Sequence, residues 1–269
     1  MIAQFEISDQ LFYSDLSRPI SIAIPLDFGG EQPNTYGVPH AQSRAYKDGT
    51  FIGDVRLGGS CNFETIEMTP HCNGTHTECI GHITRERVHI AESDFKRISA
   101  ALLMTVEPIK VNDHAHHYNY TMESGDLLIT RQLIEAEVDK FGIKGFESLI
   151  LRTIPNTDKK LSDNYDYMPA YFSLDAMEYI LELGISNLLV DLPSIDRLYD
   201  DGMMTNHRAF WQVDEARNIN PDTKNKTVTE FIYAADSVKD GYYLLEIQIP
   251  PFLSDAAPSS PILYKLEKK

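Results

Sequence analysis

A twelve-residue segment in the first third of the chain concentrates side chains that bind metals or move protons. It reads HCNGTHTECIGH over residues 71–82 and holds three histidines, two cysteines and one glutamate. Imidazole nitrogens suit zinc, iron, nickel or copper, thiolates suit zinc, and a carboxylate adds a harder oxygen ligand. The composition of this segment therefore predicts a metal site.

The spacing within the segment suggests how such a site is built. His76 and Glu78 are separated by one residue, so an extended backbone points both side chains the same way. Gly74 can adopt a positive φ or let the backbone approach an ion. His82 lies too far along for spacing alone to place it with the ligands. We predict that it is a catalytic proton carrier, since the pKa of imidazole lies near neutrality.

Two other groups of candidate ligands have simpler interpretations. The sequence HAHH at 114–117 lies in a polar stretch, and we predict a solvated loop there and no metal site. Cys61 and Cys79 are predicted to be small buried hydrophobic residues that take no part in metal binding.

The segment resembles the H-x-G-T-H-x-D-x-P-x-H signature of a metal-dependent hydrolase family. That family includes bacterial kynurenine formamidases, isatin hydrolases and "putative cyclases". Gly74, Thr75, His76 and His82 match the signature. Glu78 replaces its Asp, and this longer carboxylate can still bind or bridge metals.

The first histidine of the signature is displaced in this chain. Strict register puts Cys72 at that position, and His71 lies one residue earlier. A one-residue bulge would bring His71 to the metal, and we favour that arrangement because the family uses nitrogen and oxygen ligands. There are two alternatives: Cys72 binds the metal as a thiolate, or this position supplies no ligand at all. Ile80 replaces the proline of the signature, which alters the stiffness of the loop.

Further matches follow in the family's order from Asp15 to about Pro251. They comprise Asp15-Leu16-Ser17, Leu151-Arg152-Thr153, the stretch 184–196, His207-Arg208 and Glu230 with the strand after it. The gap between His207 and Glu230 is longer than usual. Residues 212–226 are polar and are predicted to form a surface insertion in this gap. Asp191 and Asp196 are interpreted as turn or cap residues and placed outside the site.

The resemblance implies a hydrolase whose divalent metal activates water. His71 (or Cys72), His76 and Glu78 would hold one ion, and Glu78, His207 and Glu230 a second if there is one. Zinc is the expected metal, with manganese or iron as alternatives. His82 would carry the proton to the leaving atom of an arylformamide, a cyclic amide or a lactone.

Two functions from other classes stay open at this point. The altered motif is also compatible with a protein that binds a small molecule without turnover, or with one that keeps only the fold. Aromatic rings could contact an aromatic substrate, and the three candidates are Phe63, Tyr171 and Trp211.

The elements that must position these residues alternate between strand and helix only in the middle of the chain. Apolar runs predict strands at 99–107, 148–153 and 185–191, and residues 227–230 and 242–249 are predicted to form two further strands, the second with alternating side chains. Helical spacing predicts helices over 129–141, ending at Gly142, and over 173–183. This order favours an α/β fold with a mixed sheet. The resemblance implies a single domain over 1–269 of the swivelling β/β/α type, with a barrel-like sheet, outer helices and assembly into homodimers or homotetramers.

Composition excludes several classes of protein. The chain has 269 residues and a net charge of −16, which argues against nucleic-acid binding because phosphates attract concentrated Lys and Arg. Its 42% hydrophobic and 24% charged residues are typical of a globular protein. Three cysteines do not form a disulfide framework, and the amino terminus shows no signal peptide. No apolar run approaches the roughly 20 residues of a membrane span. We therefore expect a cytoplasmic protein acting on a small molecule.

Overall fold

A mixed nine-stranded sheet dominates the computed structural model, which describes residues 1–111, 117–142 and 145–268. Its strands in chain order are β1 (Ile20–Ser21), β2 (His76–Cys79), β3 (Ile98–Val106), β4 (Ser148–Thr153), β5 (Asn187–Val190), β6 (Thr227–Glu230), β7 (Gly241–Gln248), β8 (Ala256–Pro258) and β9 (Ser260–Lys265). Their spatial order is β8-β2-β6-β5-β4-β3-β7-β9-β1. The neighbours from β3 through β4 and β5 to β6 are parallel, and the other neighbouring pairs are antiparallel.

The central strands have long apolar runs because both faces of the sheet are covered. On β3, Leu102 and Met104 belong to one hydrophobic cluster, whereas Ala101 and Leu103 belong to another on the opposite face. Side chains alternate between the faces of a strand, so a strand buried on both sides must be apolar at every position.

Three helices pack against the sheet and contribute side chains to the first of these clusters. They are α1 (Arg131–Phe141), α2 (Leu174–Glu182) and α3 (Thr205–Phe210). Ile134 of α1, Met177 and Ile180 of α2 and Phe210 of α3 are all fully buried there. Gly142 follows α1 with a φ of 62°, a left-handed conformation that ends a helix at little cost in glycine.

Shorter elements surround the main sheet. The remaining strands are Ile2–Ile7, Gln10–Asp15, Gln42–Ala45, Lys47–Asp48, Phe51–Ile52, Glu64–Glu67, Ile109–Lys110, Leu127–Ile129, Tyr171–Phe172 and Glu267–Lys268, and short 3-10 helices cover Val55–Leu57, Ile80–His82 and Asp158–Leu161. Residues 42–67 form two small antiparallel pairs, here named the hairpin arm. This arm exposes Val55, Leu57, Phe63 and Ile66.

The predicted α/β class, with a mixed, curled half-barrel sheet, is confirmed. The strands predicted at 148–153 and 227–230 have the expected bounds. The helix predicted from residue 129 begins at Arg131, because Leu127–Ile129 pairs as a strand with Tyr171–Phe172. Within the described residues, every helix is too short or too polar to cross a lipid bilayer.

Candidate metal centre

Two neighbouring strands bring three of the predicted ligands together. His76 and Glu78 lie on β2, and Glu230, the last residue of β6, pairs directly with His76 in the antiparallel register. Directly opposed residues have Cβ atoms only about 5 Å apart. On the other face, the hydroxyls of Thr77 and Thr229 are hydrogen-bonded at 2.8 Å, which fixes the same register. The alternation predicted for His76 and Glu78 is therefore built into the sheet.

Helix α3 supplies a fourth side chain, the fully buried His207. Its Nε2 lies 2.8 Å from Glu78 Oε1 and 3.7 Å from Glu230 Oε1. Its Nδ1 lies 2.6 Å from Asp196 Oδ2. The Asp196 carboxylate also accepts hydrogen bonds from the Asn206 backbone N–H and the Tyr118 hydroxyl. Asp196, which the sequence placed outside the site, therefore contacts a candidate ligand and holds its outer nitrogen.

The displaced histidine, His71, reaches the same cluster. Its Nδ1 lies 3.0 Å from Glu78 Oε2, and its Nε2 lies 2.7 Å from Asp255 Oδ2. One ligand atom each from His71, His76 and Glu78 lie within 4.8 Å of one another. The Cys72 thiol is buried and belongs to no such group among the described residues. Burial and the nearby Glu230 raise the pKa of Cys72 to about 11, so its thiol is protonated at neutral pH.

His82 stands at the edge of the cluster, in the short turn after β2. Its Nε2 lies 3.7 Å from Glu78 Oε2 and its Nδ1 lies 3.4 Å from Asp255 Oδ2. Its ring stacks on that of His71 with centroids 4.1 Å apart. His82 is about a quarter exposed, so it faces both the buried Glu78 carboxylate and solvent.

Asp255 was not identified from the sequence. It lies immediately before β8, which pairs with β2 so that Ala256 is opposite Glu78. Only this long-range pairing brings Asp255 to His71 and His82, and nothing in its local sequence indicates a site.

Opposite charges stabilise one another within the cluster. Burial alone would raise the pKa of Glu78, but His82 and His207 hold it well below its usual range. Burial would lower the pKa of His207, but Glu78 and Asp196 raise it well above its usual range. The pKa of His71 is raised to about 10 by Asp255 and Glu78, which outweigh burial. Hydrogen bonds from His71 and His82 keep the pKa of Asp255 below its usual range. The carboxylates thus attract cations, whether protons or metal ions.

The donor atoms fit a divalent cation. His76 Nε2 is buried and has no hydrogen-bond partner among the described residues, since the facing Glu230 Oε2 lies 3.5 Å away, and such an atom costs about 1–3 kcal/mol unless something satisfies it. His76 Nδ1 lies 3.1 Å from the Gly74 carbonyl oxygen, while carboxylates hold the outer nitrogens of His71 and His207. Metal-binding histidines characteristically have the outer nitrogen held in this way and the inner one directed at the ion.

A cavity of about 330 Å³ opens onto the cluster. Four site residues line it, namely His71, His82, His207 and Glu230. The rest of its wall consists of Tyr36, Ile83, Pro193, Ser194, Gly202, Met204 and Arg217. This volume suits a small organic molecule next to the candidate ligands.

None of the three aromatic candidates is among the described residues that line the cavity, although the Trp211 ring packs against that of His207 with centroids 5.6 Å apart. Phe63 is half exposed on the hairpin arm and packs against Tyr46. Tyr171 is fully buried and donates to Asp126, and Trp211 is fully buried and donates to the Lys226 carbonyl oxygen. The aromatic residue that lines the cavity is Tyr36, which no motif indicated.

The second histidine run gives no further information on metal binding. His114 and His116 lie outside the described residues, and His117 is exposed.

Comparisons with known proteins agree with this architecture. A curated kynurenine formamidase of Bacillus thuringiensis (strain Al Hakam) is 26% identical over 243 residues, covering 90% of this chain and 91% of the relative. A solved structure described as a potential metal-dependent hydrolase with cyclase activity has a TM-score of 0.60 at 16% identity, over 93% of this chain and 98% of that one. Isatin hydrolase A from Labrenzia aggregata has a TM-score of 0.60 at 13% identity, over 93% and 94%. These two structures share the fold. The family model described as "Putative cyclase" matches residues 14–197, well over half of the sequence, and the chain belongs to that family.

Proposed function

We propose that this protein is a metal-dependent hydrolase that cleaves an amide-type C–N bond. The observation that carries the proposal is the buried convergence of His76, Glu78, His207 and Glu230 beside an open cavity, with His76 Nε2 directed at Glu230 Oε2 across 3.5 Å and without a hydrogen-bond partner among the described residues. His71 completes the proposed ligand set. The name kynurenine formamidase, given to relatives at 24–26% identity, supports an arylformamide or a cyclic amide as substrate, with a lactone as a further candidate.

The residues of the proposed centre have two roles, metal binding and proton transfer. His71, His76 and Glu78 would hold one ion, and Glu78, His207 and Glu230 a second. A bound divalent ion supplies Lewis acidity to the scissile carbonyl and to water. His82 holds and moves a proton, because it lines the cavity and lies between Glu78 and Asp255.

The proton balance follows from this arrangement. Hydrolysis adds water across the C–N bond, giving a carboxylic acid and an amine, and the acid then loses its proton to solvent to become the carboxylate. His82 accepts a proton from the attacking water and delivers it to the leaving nitrogen. Asp255 orients the His82 ring at Nδ1, so Nε2 is the atom that carries the proton.

The test starts from metal-free protein prepared by chelation. Zinc or manganese is restored, and hydrolysis of N-formylkynurenine, isatin and simple lactones is followed. We expect turnover only after metal is restored. His76→Ala should abolish both stoichiometric metal binding and turnover, whereas His40→Ala, at an exposed histidine bonded to Asn164, should keep both.

Contrary outcomes separate the alternatives. Folded protein that binds metal but turns over none of these compounds would support a small-molecule binding role. Folded protein that binds no metal at all would overturn the proposed centre.

Four further attributes belong to the same proposal. Zinc is the expected ion, with manganese or iron as alternatives that accept the same nitrogen and oxygen ligands. The exposed apolar side chains of the hairpin arm support a homodimer or homotetramer. Three free cysteines suit a reducing cytoplasm. The main sheet draws strands from residue 20 to residue 265, which supports one domain over 1–269.

A further inference from the structure

One permanent positive charge lies on the wall of the cavity. Arg217 is the only Lys or Arg among the described residues that line it. Its Nη2 donates to the Gly202 carbonyl oxygen at 3.3 Å, and Gly202 is itself a lining residue, so the guanidinium lies at the wall.

The Arg217 guanidinium has most of its hydrogen-bonding capacity unused. An arginine side chain carries five N–H donors, and Gly202 takes one of them. Its side chain is exposed and forms no ion pair with a carboxylate of the described residues, although the chain has 40 acidic and 24 basic residues. In a protein with so many acidic side chains, an unpaired arginine beside a cavity is available for an external anion.

The backbone holds Arg217 in an unusual conformation at this place. Its φ is 60°, a left-handed value that costs a non-glycine residue about 1 kcal/mol. Hydrogen bonds fix it on both sides, since its N–H donates to the Asp214 carbonyl at 3.0 Å and its carbonyl accepts from the Arg85 N–H at 3.1 Å. The insertion predicted at 212–226 as surface structure therefore forms a defined turn that directs one arginine to the cavity.

We propose that Arg217 binds a carboxylate group of the substrate and makes the enzyme selective for anionic amides. This inference rests on the proposed hydrolase function. The guanidinium and a carboxylate form two parallel N–H···O hydrogen bonds, a geometry that an ammonium group cannot match. The carboxylate is a second group of the substrate, separate from the amide that lies at the metal centre.

The test compares matched charged and neutral substrates. The probes are 2-, 3- and 4-formamidobenzoate, with formanilide as the uncharged counterpart. For metal-loaded protein we expect Arg217→Gln to lower kcat/KM at least tenfold for the preferred formamidobenzoate and to change it less than twofold for formanilide. For the preferred formamidobenzoate, the kcat/KM of Arg217→Lys should lie between that of the wild-type protein and that of Arg217→Gln. Lys224→Gln removes one positive charge from an exposed site in the same loop and should leave the substrate preference unchanged.

Equilibrium binding of the same four compounds, measured by calorimetry, tests Arg217 independently of turnover. Wild-type protein should bind the preferred formamidobenzoate at least tenfold more tightly than formanilide, and Arg217→Gln should remove that difference. If binding shows this pattern but none of the compounds is hydrolysed, Arg217 keeps its role and the hydrolase proposal fails. The role of Arg217 would be overturned if wild-type protein bound charged and neutral compounds with equal affinity, or bound neither. It would also be overturned if Arg217→Gln lost the same factor of affinity for both.

Discussion

At the scale of single residues, the centre depends most on Glu78. Its Oε1 faces His207, whereas its Oε2 faces His71 and His82. The carboxylate is fully buried, so its charge can persist only because cations or protonated histidines surround it. In the proposed centre this glutamate, which replaces the family's aspartate, would therefore be placed to contact two ions, one through each carboxylate oxygen.

The choice between His71 and Cys72 can be tested by paired substitutions. We expect His71→Ala to weaken zinc binding at least about tenfold, since even partners behind a metal ligand typically contribute that much. Cys72→Ala should leave zinc affinity near the wild-type value, because the thiol is buried and protonated. Competition with a chromogenic chelator measures both. Loss of zinc in the Cys72 variant alone would reverse the assignment.

Metal binding should also depend on pH. The pKa of His71 is raised to about 10 in the metal-free protein, so this imidazole is protonated at neutral pH and must lose a proton to bind an ion. Apparent zinc affinity should therefore rise with pH, by about tenfold per pH unit for each proton released, until pH approaches 10.

Chelator competition at pH 6.5, 7.5 and 8.5 measures this dependence. Calorimetry in two buffers of different ionisation enthalpy counts the protons released. Affinity that stays constant over this range, with no proton released, would contradict the prediction.

At the scale of elements, the turn after β2 sets the position of His82. A Cβ on Gly81 would lie 2.1 Å from the Val88 carbonyl oxygen, far inside contact distance. Gly81→Ala must shift this backbone, and we expect it to destabilise the fold by about 1–3 kcal/mol and to reduce turnover. Chemical denaturation and steady-state kinetics measure the two effects.

Gly29→Ala provides the matched control for this substitution. A Cβ there would make only an ordinary 3.6 Å contact with Asp27, and stability should change by less than about 0.5 kcal/mol. Wild-type stability and turnover in Gly81→Ala would show that the turn has freedom that the structure does not indicate.

Local patterns predicted the strands and helices well but predicted only part of the site. The bounds of β4 and β6 were predicted from the local sequence, and the resemblance of the ordered motifs to a known family was enough to group His76, Glu78, His207 and Glu230. Asp196 and Asp255 were missed because their roles arise from tertiary contacts between distant segments. The same holds for Tyr36 and Arg217, since a cavity wall assembled from loops leaves no periodic pattern in the sequence.

At the scale of the whole molecule, the proposed ion would join segments that are far apart in the chain. Residues 71–82 meet His207 and Glu230 only in the folded protein, so an ion bound there stabilises the native state by mass action. At a free metal concentration of 1,000 times Kd this amounts to about 4 kcal/mol.

Thermal unfolding with chelator and with zinc measures this stabilisation. We expect Tm to rise by several degrees with zinc in wild-type protein. The Tm of His76→Ala should respond little, because that variant lacks a ligand. An equal response of both proteins would assign the stabilising ion to another site.

The loop between α3 and β6 has a consequence for how relatives of this protein could diverge. Its two ends are tied together, since Trp211 Nε1 donates to the Lys226 carbonyl at 2.9 Å and Thr223 Oγ1 donates to the Trp211 carbonyl at 2.5 Å. These two hydrogen bonds close the base of the loop between His207 and Glu230. Substitutions or insertions at the exposed positions 214–218 can therefore leave both residues in place. Mutations there can change the substrate specificity while the residues of the proposed centre stay unchanged. Directed evolution for new substrates should therefore begin in this loop.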